Sequence, residues 1–170
     1  MERAVCRGTE LLAIQEDQAR KVVRRAVPVQ LGGDVGIARG WGKGLAVRVD
    51  GMEHLRSDIG NRLARRSAEQ GYRGVGVCIY AVSSELPEGV VKVSFRGYDG
   101  GGGHQGHQGH QGHQGHQGHQ GEGGEGGASG EDLTDIARHY GGGGHALACS
   151  ANIPLATVNT WGDIAAPPPS

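Results

Sequence analysis

A glycine-rich tract in the second half of the chain sets the first limit on what the chain can fold into. Residues 97–130 hold 16 of the 34 glycines, and the triplet His-Gln-Gly repeats six times from His104 to Gly121. A tract of this composition cannot bury apolar surface, so we predict that it is disordered and is a tolerated low-complexity insert (97–130) between two surface elements. The packed structure must come from the other 136 residues of the 170.

The same repeat leaves a metal-binding alternative open. Six imidazoles spaced three residues apart can gather transition-metal ions loosely. A specific metal site also needs fixed ligand geometry and supporting hydrogen bonds, which a repeat of this kind does not supply. We therefore predict no defined metal site and keep a His-rich metal-binding protein as a second alternative.

Charge and cysteine content narrow the class of protein further. Residues 1–96 carry 16 Lys and Arg against 11 Asp and Glu, whereas residues 97–170 carry one Arg against seven acids. A basic half is compatible with a polyanionic partner. Three cysteines without a Cys-x-x-Cys pair favour a reducing intracellular compartment, with the cytoplasm expected and an organelle left open. The chain has no apolar run of 18 residues, so we predict no membrane partner.

Hydrophobic periodicity predicts an α/β domain, with α+β as the alternative, built on a small mixed sheet flanked by helices. The predicted helices, with Thr9 and Ser57 as N-caps of the first two, span 9–27, 58–70 and 132–140. The predicted strands span 27–31, 45–49, 74–82, 90–96 and 153–158, and residues 32–44 are predicted to form a flexible glycine-rich loop. The resulting segments are a linker helix with an edge strand (1–31), one domain in two pieces (32–96 and 131–160), the insert, and a flexible tail (161–170).

The strongest functional pattern follows the helix predicted at 132–140. Four glycines, Gly141, Gly142, Gly143 and Gly144, precede His145, which is more glycine than helix termination requires. Backbone amides without side chains can approach an anion closely, and His145 can donate to a phosphate oxygen. Together with Ser94 and Arg96 at the end of a predicted strand, this segment predicts a phosphate-binding corner. A mobile hinge that carries a surface histidine is the alternative reading.

Basic residues also cluster on the two long predicted helices. They are Arg20, Lys21, Arg24 and Arg25 on the first helix, and Arg62, Arg65 and Arg66 on the second. Such clusters can contact phosphates, but solvated helix faces have the same pattern. The sequence alone favours the solvated face.

Three segments together resemble one enzyme family. The stretch "DIARHYGGGGHALACS" is similar to the glycine-histidine signature of the recognition domain that follows the catalytic domain in DHH-family phosphoesterases, which include RecJ-like and nanoRNase-like enzymes. Upstream, "RSDIGNRLARRSAEQGYRGVGVCIYAV" resembles the helix and central strand of that domain, and "VVKVSFRG" resembles its strand ending in Ser-x-Arg. Two positions depart from the pattern: Cys149-Ser150 replace small residues, and Gly97 replaces a serine.

The resemblance implies a binding module rather than a complete enzyme. In that family an N-terminal domain holds two manganese ions through Asp and His ligands, including an Asp-His-His triplet, and this chain contains neither that triplet nor an Asp-x-Asp motif. The resemblance makes the four glycines, His145 and Arg96 phosphate-binding residues and assigns no catalytic residue, metal ligand or cofactor to this chain. We expect the chain alone not to be an enzyme, and manganese to be needed only with a separate DHH catalytic domain.

The expected ligand is a short nucleic acid or a phosphorylated nucleotide, and a DHH catalytic domain is a candidate partner. Because "RGTELLAIQEDQARKVV" resembles the helix that links the two domains, we expect the chain to be truncated or stand-alone. The first alternative is a piece of a complete manganese-dependent phosphoesterase or exonuclease that acts on short oligonucleotides or cyclic dinucleotides. Kinship with the C-terminal domain of alanyl-tRNA synthetases, with tRNA as ligand, is a further alternative.

Overall fold

A six-stranded mixed sheet forms the centre of the structure, a computed structural model that describes residues 2–81, 86–100 and 132–165. The strands are β1 (Val27–Gln30), β2 (Lys43–Arg48), β3 (Val75–Tyr80), β4 (Val90–Gly97), β5 (Gly143–His145) and β6 (Ala148–Pro154). Their spatial order is β1-β2-β3-β4-β6-β5, and only the β2–β3 pair is parallel. This architecture confirms the predicted class of a mixed sheet flanked by helices.

Helices cover both faces of the sheet and divide the core in two. The helices are α1 (Glu2–Arg24), α2 (Gly33–Arg39), α3 (Arg56–Glu69), α4 (Thr134–His139) and α5 (Leu155–Val158), with a short 3-10 turn at Glu53–Leu55. Buried side chains of α1 and α3 pack on β2 and β3, whereas those of α4 and α5 pack on the opposite face of β3, β4 and β6. The predicted apolar strand lies between these two layers, and every residue of β3 is buried, as expected for a central strand.

The first helix packs only through its C-terminal half. Ala19 and Val22 are buried, whereas the predicted apolar residues Leu11 and Leu12 are 60% and 67% exposed. The helix begins at Glu2, so the N-cap predicted at Thr9 is wrong. None of the helices in the described part of the chain is long and apolar enough to cross a membrane.

Residues 32–44 differ from the prediction of a flexible loop, because they contain helix α2. The helix ends at Arg39, and Gly40 follows with a φ of +69° and a backbone N–H that donates to the Ile37 carbonyl oxygen. Glycine adopts this left-handed C-cap without steric cost. Trp41 follows and is buried, and its indole Nε1 donates to the Asp135 carboxylate of α4 at 2.8 Å. The glycines of this segment therefore belong to a packed helix and its C-cap rather than to a flexible loop.

The C-terminal end of the fold also requires corrections. Residues 155–158 were predicted as strand, but the strand ends at Pro154 and a turn of helix follows it. The prediction that Trp161 belongs to a flexible tail is wrong, because its side chain is 2% exposed and lies near the rings of Phe95 and Tyr140. The Trp161 carbonyl oxygen also accepts a hydrogen bond from the backbone N–H of Gln30. The packed domain thus includes Trp161. The prediction for the His-Gln-Gly repeat lies outside the described residues.

Candidate functional site

Strand β4 presents one polar face and one apolar face. Val91, Val93 and Phe95 are buried in the core beneath α4 and α5, whereas the alternating residues Lys92, Ser94 and Arg96 point to the face that carries α3. Ser94 lies opposite Ser150 of β6, and its hydroxyl is 3.3 Å from the Tyr80 hydroxyl. Because α3 covers β3 but the strands beyond β4 extend past it, the polar face opens into a cleft.

That cleft is a pocket of about 210 Å³ between the N-terminus of α3 and strands β4, β5 and β6. It unites four residues predicted from the sequence: Ser94, Arg96, Gly143 and Gly144. The residues that sequence reasoning missed are Arg56, Tyr80, Lys92, Ala148, Cys149 and Ser150. Ser94 and Arg96 therefore share one pocket with Gly143 and Gly144, which lie more than 40 positions away in the chain.

The charged side chains that line this pocket in the described part of the chain are all positive. Arg56, Lys92 and Arg96 line it, and none of the described residues around it is an Asp or Glu. The ion pairs found among the described residues involve none of these three cations. An anion in the pocket would meet three positive charges without a competing carboxylate, which is the electrostatic requirement for binding a phosphate.

Two buried free cysteines lie at the pocket: Cys149 lines it, and Cys78 lies beneath α3. Burial raises the pKa of the Cys78 thiol to about 12 and that of Cys149 to about 11, although the neighbouring Arg96 charge acts in the opposite direction. Because the thiolate is the reactive form, both side chains stay protonated and inert at neutral pH. These two side chains therefore offer no thiolate to a ligand in the pocket.

Arg96 is held in place by α3. Its guanidinium donates to the Ser57 hydroxyl at 2.9 Å, and a β-carbon added to Gly60 would lie 2.6 Å from its Cγ. The missing side chain at Gly60 thus leaves room for the stem of Arg96 against the helix. Ser57 was predicted to cap this helix, but the helix begins at Arg56 after Leu55, without a side-chain cap. Ser57 instead orients Arg96 by accepting its hydrogen bond.

A Gly60→Ala variant tests this support. Alanine favours the helix by about 1 kcal/mol over glycine, which offsets part of the cost of displacing the Arg96 stem. We therefore expect the melting temperature to change little and the affinity for a phosphorylated ligand to fall, by about tenfold on the scale of one charged hydrogen bond. Calorimetric titration and thermal melting measure the two effects. An unchanged affinity would show that the position of Arg96 does not depend on Gly60.

The glycine run serves two purposes. Gly141 has a φ of +73° and follows the last residues of α4, and the Gly142 amide donates to the Ala137 carbonyl, so these two glycines end the helix. A β-carbon on Gly142 would lie 2.1 Å from the Ser150 carbonyl oxygen, and one on Gly144 would lie 2.4 Å from that of Ala148. These glycines allow β5 to lie directly against β6.

Gly143 differs from its neighbours. A β-carbon added there would meet no atom within 4 Å, so neither packing nor a positive φ requires glycine at this position. Gly143 pairs with Ser150, and Ser150 pairs with Ser94. Paired residues project to the same face of a sheet, so an alanine methyl at Gly143 would enter the pocket.

His145 ends strand β5 opposite Ala148 and is exposed. It does not line the pocket, and neither do Gly141 and Gly142. Of the residues that were missed, Lys92 had a sequence signal, because it shares the two-residue alternation of Ser94 and Arg96. Arg56 and Ser150 had none, since they reach the pocket through the docking of α3 and the pairing of β4 with β6.

Comparison of the chain with models of known protein families and with curated proteins finds no match. Within the described ranges, no three His, Cys, Asp or Glu side chains form a group that could hold a metal ion.

Proposed function

We propose that this chain is a binding module for a phosphorylated ligand, either a short nucleic acid or a phosphorylated nucleotide, which it holds in the pocket between α3 and strands β4 to β6. The observation that carries the proposal is the convergence of Arg56, Lys92 and Arg96 on a pocket that no Asp or Glu among the described residues lines. Ser150 adds a hydroxyl, and Gly143 leaves backbone open to the ligand. Charge-assisted hydrogen bonds from arginine and lysine are the strongest contacts available to a phosphate.

The family resemblance supports the same reading. Ser94 and Arg96 come from one of the similar segments, and Gly143 and Gly144 come from another. These segments are separated by the insert in the sequence, yet their residues share one pocket. A recognition domain that closes over the phosphate of a short oligonucleotide would need this convergence. Hydrolysis would then be supplied by a separate catalytic domain that carries the manganese site.

The proposal is tested by titrating the full chain with a 5′-phosphorylated dinucleotide and with the same dinucleotide lacking the phosphate. We expect the phosphorylated form to bind at least tenfold more tightly, which is the scale of a single charged hydrogen bond. Arg138→Gln, an exposed charge on α4 at the opposite face of the sheet, is a control that should leave both affinities unchanged. Equal binding of the two dinucleotides would refute the proposal.

The same preparation tests the enzyme alternative. We expect no cleavage of the dinucleotide when manganese is added, because the family activity resides in a domain that this sequence does not resemble. Turnover with manganese would favour the complete phosphoesterase over the binding module. Chromatographic separation of mono- and dinucleotides after incubation measures it directly.

Deleting residues 104–121 separates the phosphate-binding proposal from the His-rich metal alternative. We expect the phosphate affinity to stay the same and the free energy of unfolding to change by less than about 1 kcal/mol, because closure entropy depends weakly on connection length. Retention of nickel or zinc ions should fall if the repeat gathers metal. A loss of phosphate affinity in the deletion variant would place the repeat in the ligand site and contradict the proposal.

A further inference from the structure

A second basic surface lies between α1 and α3. This groove, with a volume of about 530 Å³, is lined by Arg20, Val23, Arg24, Asp58, Asn61, Arg62 and Arg65. Four arginines and one aspartate give it a strong positive charge. The sequence favours a solvated helix face for these arginines. In the structure, Arg20 and Arg24 of α1 and Arg62 and Arg65 of α3 line the same groove.

The charges of the groove are only partly compensated. Arg20 pairs with Glu16, and Arg62 pairs with Asp58, each along its own helix and each partly exposed. Pairs of this kind are worth a few tenths of a kcal/mol and yield easily to a competing anion. Arg24 and Arg65 form no ion pair with any residue in the described ranges. The groove therefore has charge available for a polyanion.

The groove has a fixed shape. Arg66 reaches from α3 to the Val23 carbonyl oxygen of α1 at 2.7 Å, and the buried Ala19 and Val22 pack in the same core cluster as Ile59 and Leu63. These contacts set the position of one helix against the other. The arginines are thus presented at a constant separation rather than by two independent helices.

The exposed side of α3 connects the groove with the pocket. Ser57, Asn61 and Arg65 are exposed and spaced by four residues, so they form one stripe along the helix. Ser57 at one end accepts the hydrogen bond from Arg96 of the pocket, and Asn61 and Arg65 line the groove. At 1.5 Å per residue, Arg65 lies about 14 Å along the axis from Arg56. At the 3.4 Å rise per nucleotide of one strand of a DNA duplex, that length spans about four stacked nucleotides, and an extended single strand spans it with fewer.

We infer that the natural ligand is a single-stranded oligonucleotide of several nucleotides, whose terminal phosphate occupies the pocket and whose following phosphates cross the α3 stripe into the groove. This inference rests on the proposed function and adds the length and path of the ligand. A mononucleotide or a cyclic dinucleotide would fill the pocket and leave the groove empty, whereas an oligonucleotide uses both basic surfaces.

The test compares the double variant Arg24→Gln/Arg65→Gln with the charge-matched control Lys43→Gln/Arg138→Gln. Both control positions are exposed and lie outside the groove and the pocket. The probes are thymidine 5′-monophosphate and a 5′-phosphorylated thymidine pentamer. We expect the wild type to bind the pentamer about tenfold or more tightly than the monophosphate, and the groove variant to lose most of that difference. The salt dependence of pentamer binding should fall by about 1.4 in slope, for two lost phosphate contacts.

The groove variant should bind the monophosphate as the wild type does, because Arg24 and Arg65 lie outside the pocket. A wild type that binds both probes equally would overturn the inference while leaving the pocket in place. An identical loss in the groove and control variants would also overturn it, because net charge alone would then explain the effect. Failure of the wild type to bind either probe would refute the proposed function itself. Thermal melting of each variant checks that the groove remains folded.

Discussion

Alanine at Gly142 is expected to lower the free energy of unfolding by about 1–3 kcal/mol, the usual cost of overpacking, whereas alanine at Gly143 is expected to leave it unchanged or slightly higher. The β-carbon at Gly142 would lie 2.1 Å from the Ser150 carbonyl oxygen and 2.7 Å from Ala151 Cα. Both obstacles are backbone and cannot rotate away, so β5 would have to separate from β6. Denaturant unfolding followed by circular dichroism measures the difference.

The second half of this prediction concerns binding. The methyl of Gly143→Ala meets no protein atom within 4 Å, and alanine restricts the unfolded chain more than glycine does. It occupies the space next to Ser150 that the phosphate would use. We therefore expect this variant to be fully folded and to bind the phosphorylated dinucleotide at least tenfold more weakly, which corresponds to about 1.4 kcal/mol.

These two outcomes separate structural glycines from a ligand-binding glycine within one run of four. If Gly143→Ala bound with wild-type affinity, the open backbone would have no role in the ligand site. If Gly142→Ala were as stable as the wild type, the contact of β5 with β6 would be looser than the structure indicates. Each result is read from its own measurement, so neither depends on the other.

Replacing Arg96 by glutamine is expected to weaken binding of a phosphorylated ligand by about 1–3 kcal/mol, roughly fivefold to 150-fold, as for a charge-assisted hydrogen bond that is lost in a half-buried site. The Arg96 guanidinium is oriented by its hydrogen bond to the Ser57 hydroxyl, whereas that of Arg56 donates to the Glu53 carbonyl oxygen. Glutamine keeps part of the side chain that packs over Gly60 but removes the charge. Calorimetric titration against Arg138→Gln separates this effect from the loss of one net charge.

Two further variants test which feature of Arg96 matters for binding. Arg96→Lys keeps the charge and loses the planar guanidinium, so an intermediate affinity is expected if two-point contact with the phosphate matters. His145→Ala, which the resemblance predicts to weaken binding, should have a smaller effect than Arg96→Gln because His145 is exposed and does not line the pocket. If Arg96→Gln bound the phosphorylated ligand with wild-type affinity, Arg96 would not contact the phosphate and the proposed site would be wrong.

The elements of the fold could be predicted where side-chain periodicity was clear. The apolar run of β3 and the alternation of β4 predicted strands that the structure contains, because burial on two faces or on one face leaves a direct pattern in the sequence. Segment 32–44 was predicted as a loop because its glycines hid the short helix that ends at Arg39. The three prolines near the C-terminus predict a tail that includes Trp161, but the Trp161 ring is buried in the core.

The candidate site could be predicted only in part, for a physical reason. Ser94 and Arg96 stand at the end of one strand, and Gly143 and Gly144 stand in a conspicuous run, so local pattern and resemblance identified them. Arg56 and Ser150 enter the pocket only through tertiary contacts, namely the docking of α3 on β3 and the pairing of β6 with β4. The groove between α1 and α3 could not be predicted either, because the sequence does not show that these two helices are neighbours.

The most direct test of the phosphate-binding account is amide chemical-shift mapping of the nitrogen-15-labelled chain during titration with the phosphorylated dinucleotide. We expect the largest shifts at Gly143, Gly144, Ser150 and Arg96, and much smaller ones with the unphosphorylated dinucleotide. Shifts confined to residues on the opposite face of the sheet, such as those of α4, or equal shifts from both dinucleotides, would contradict it.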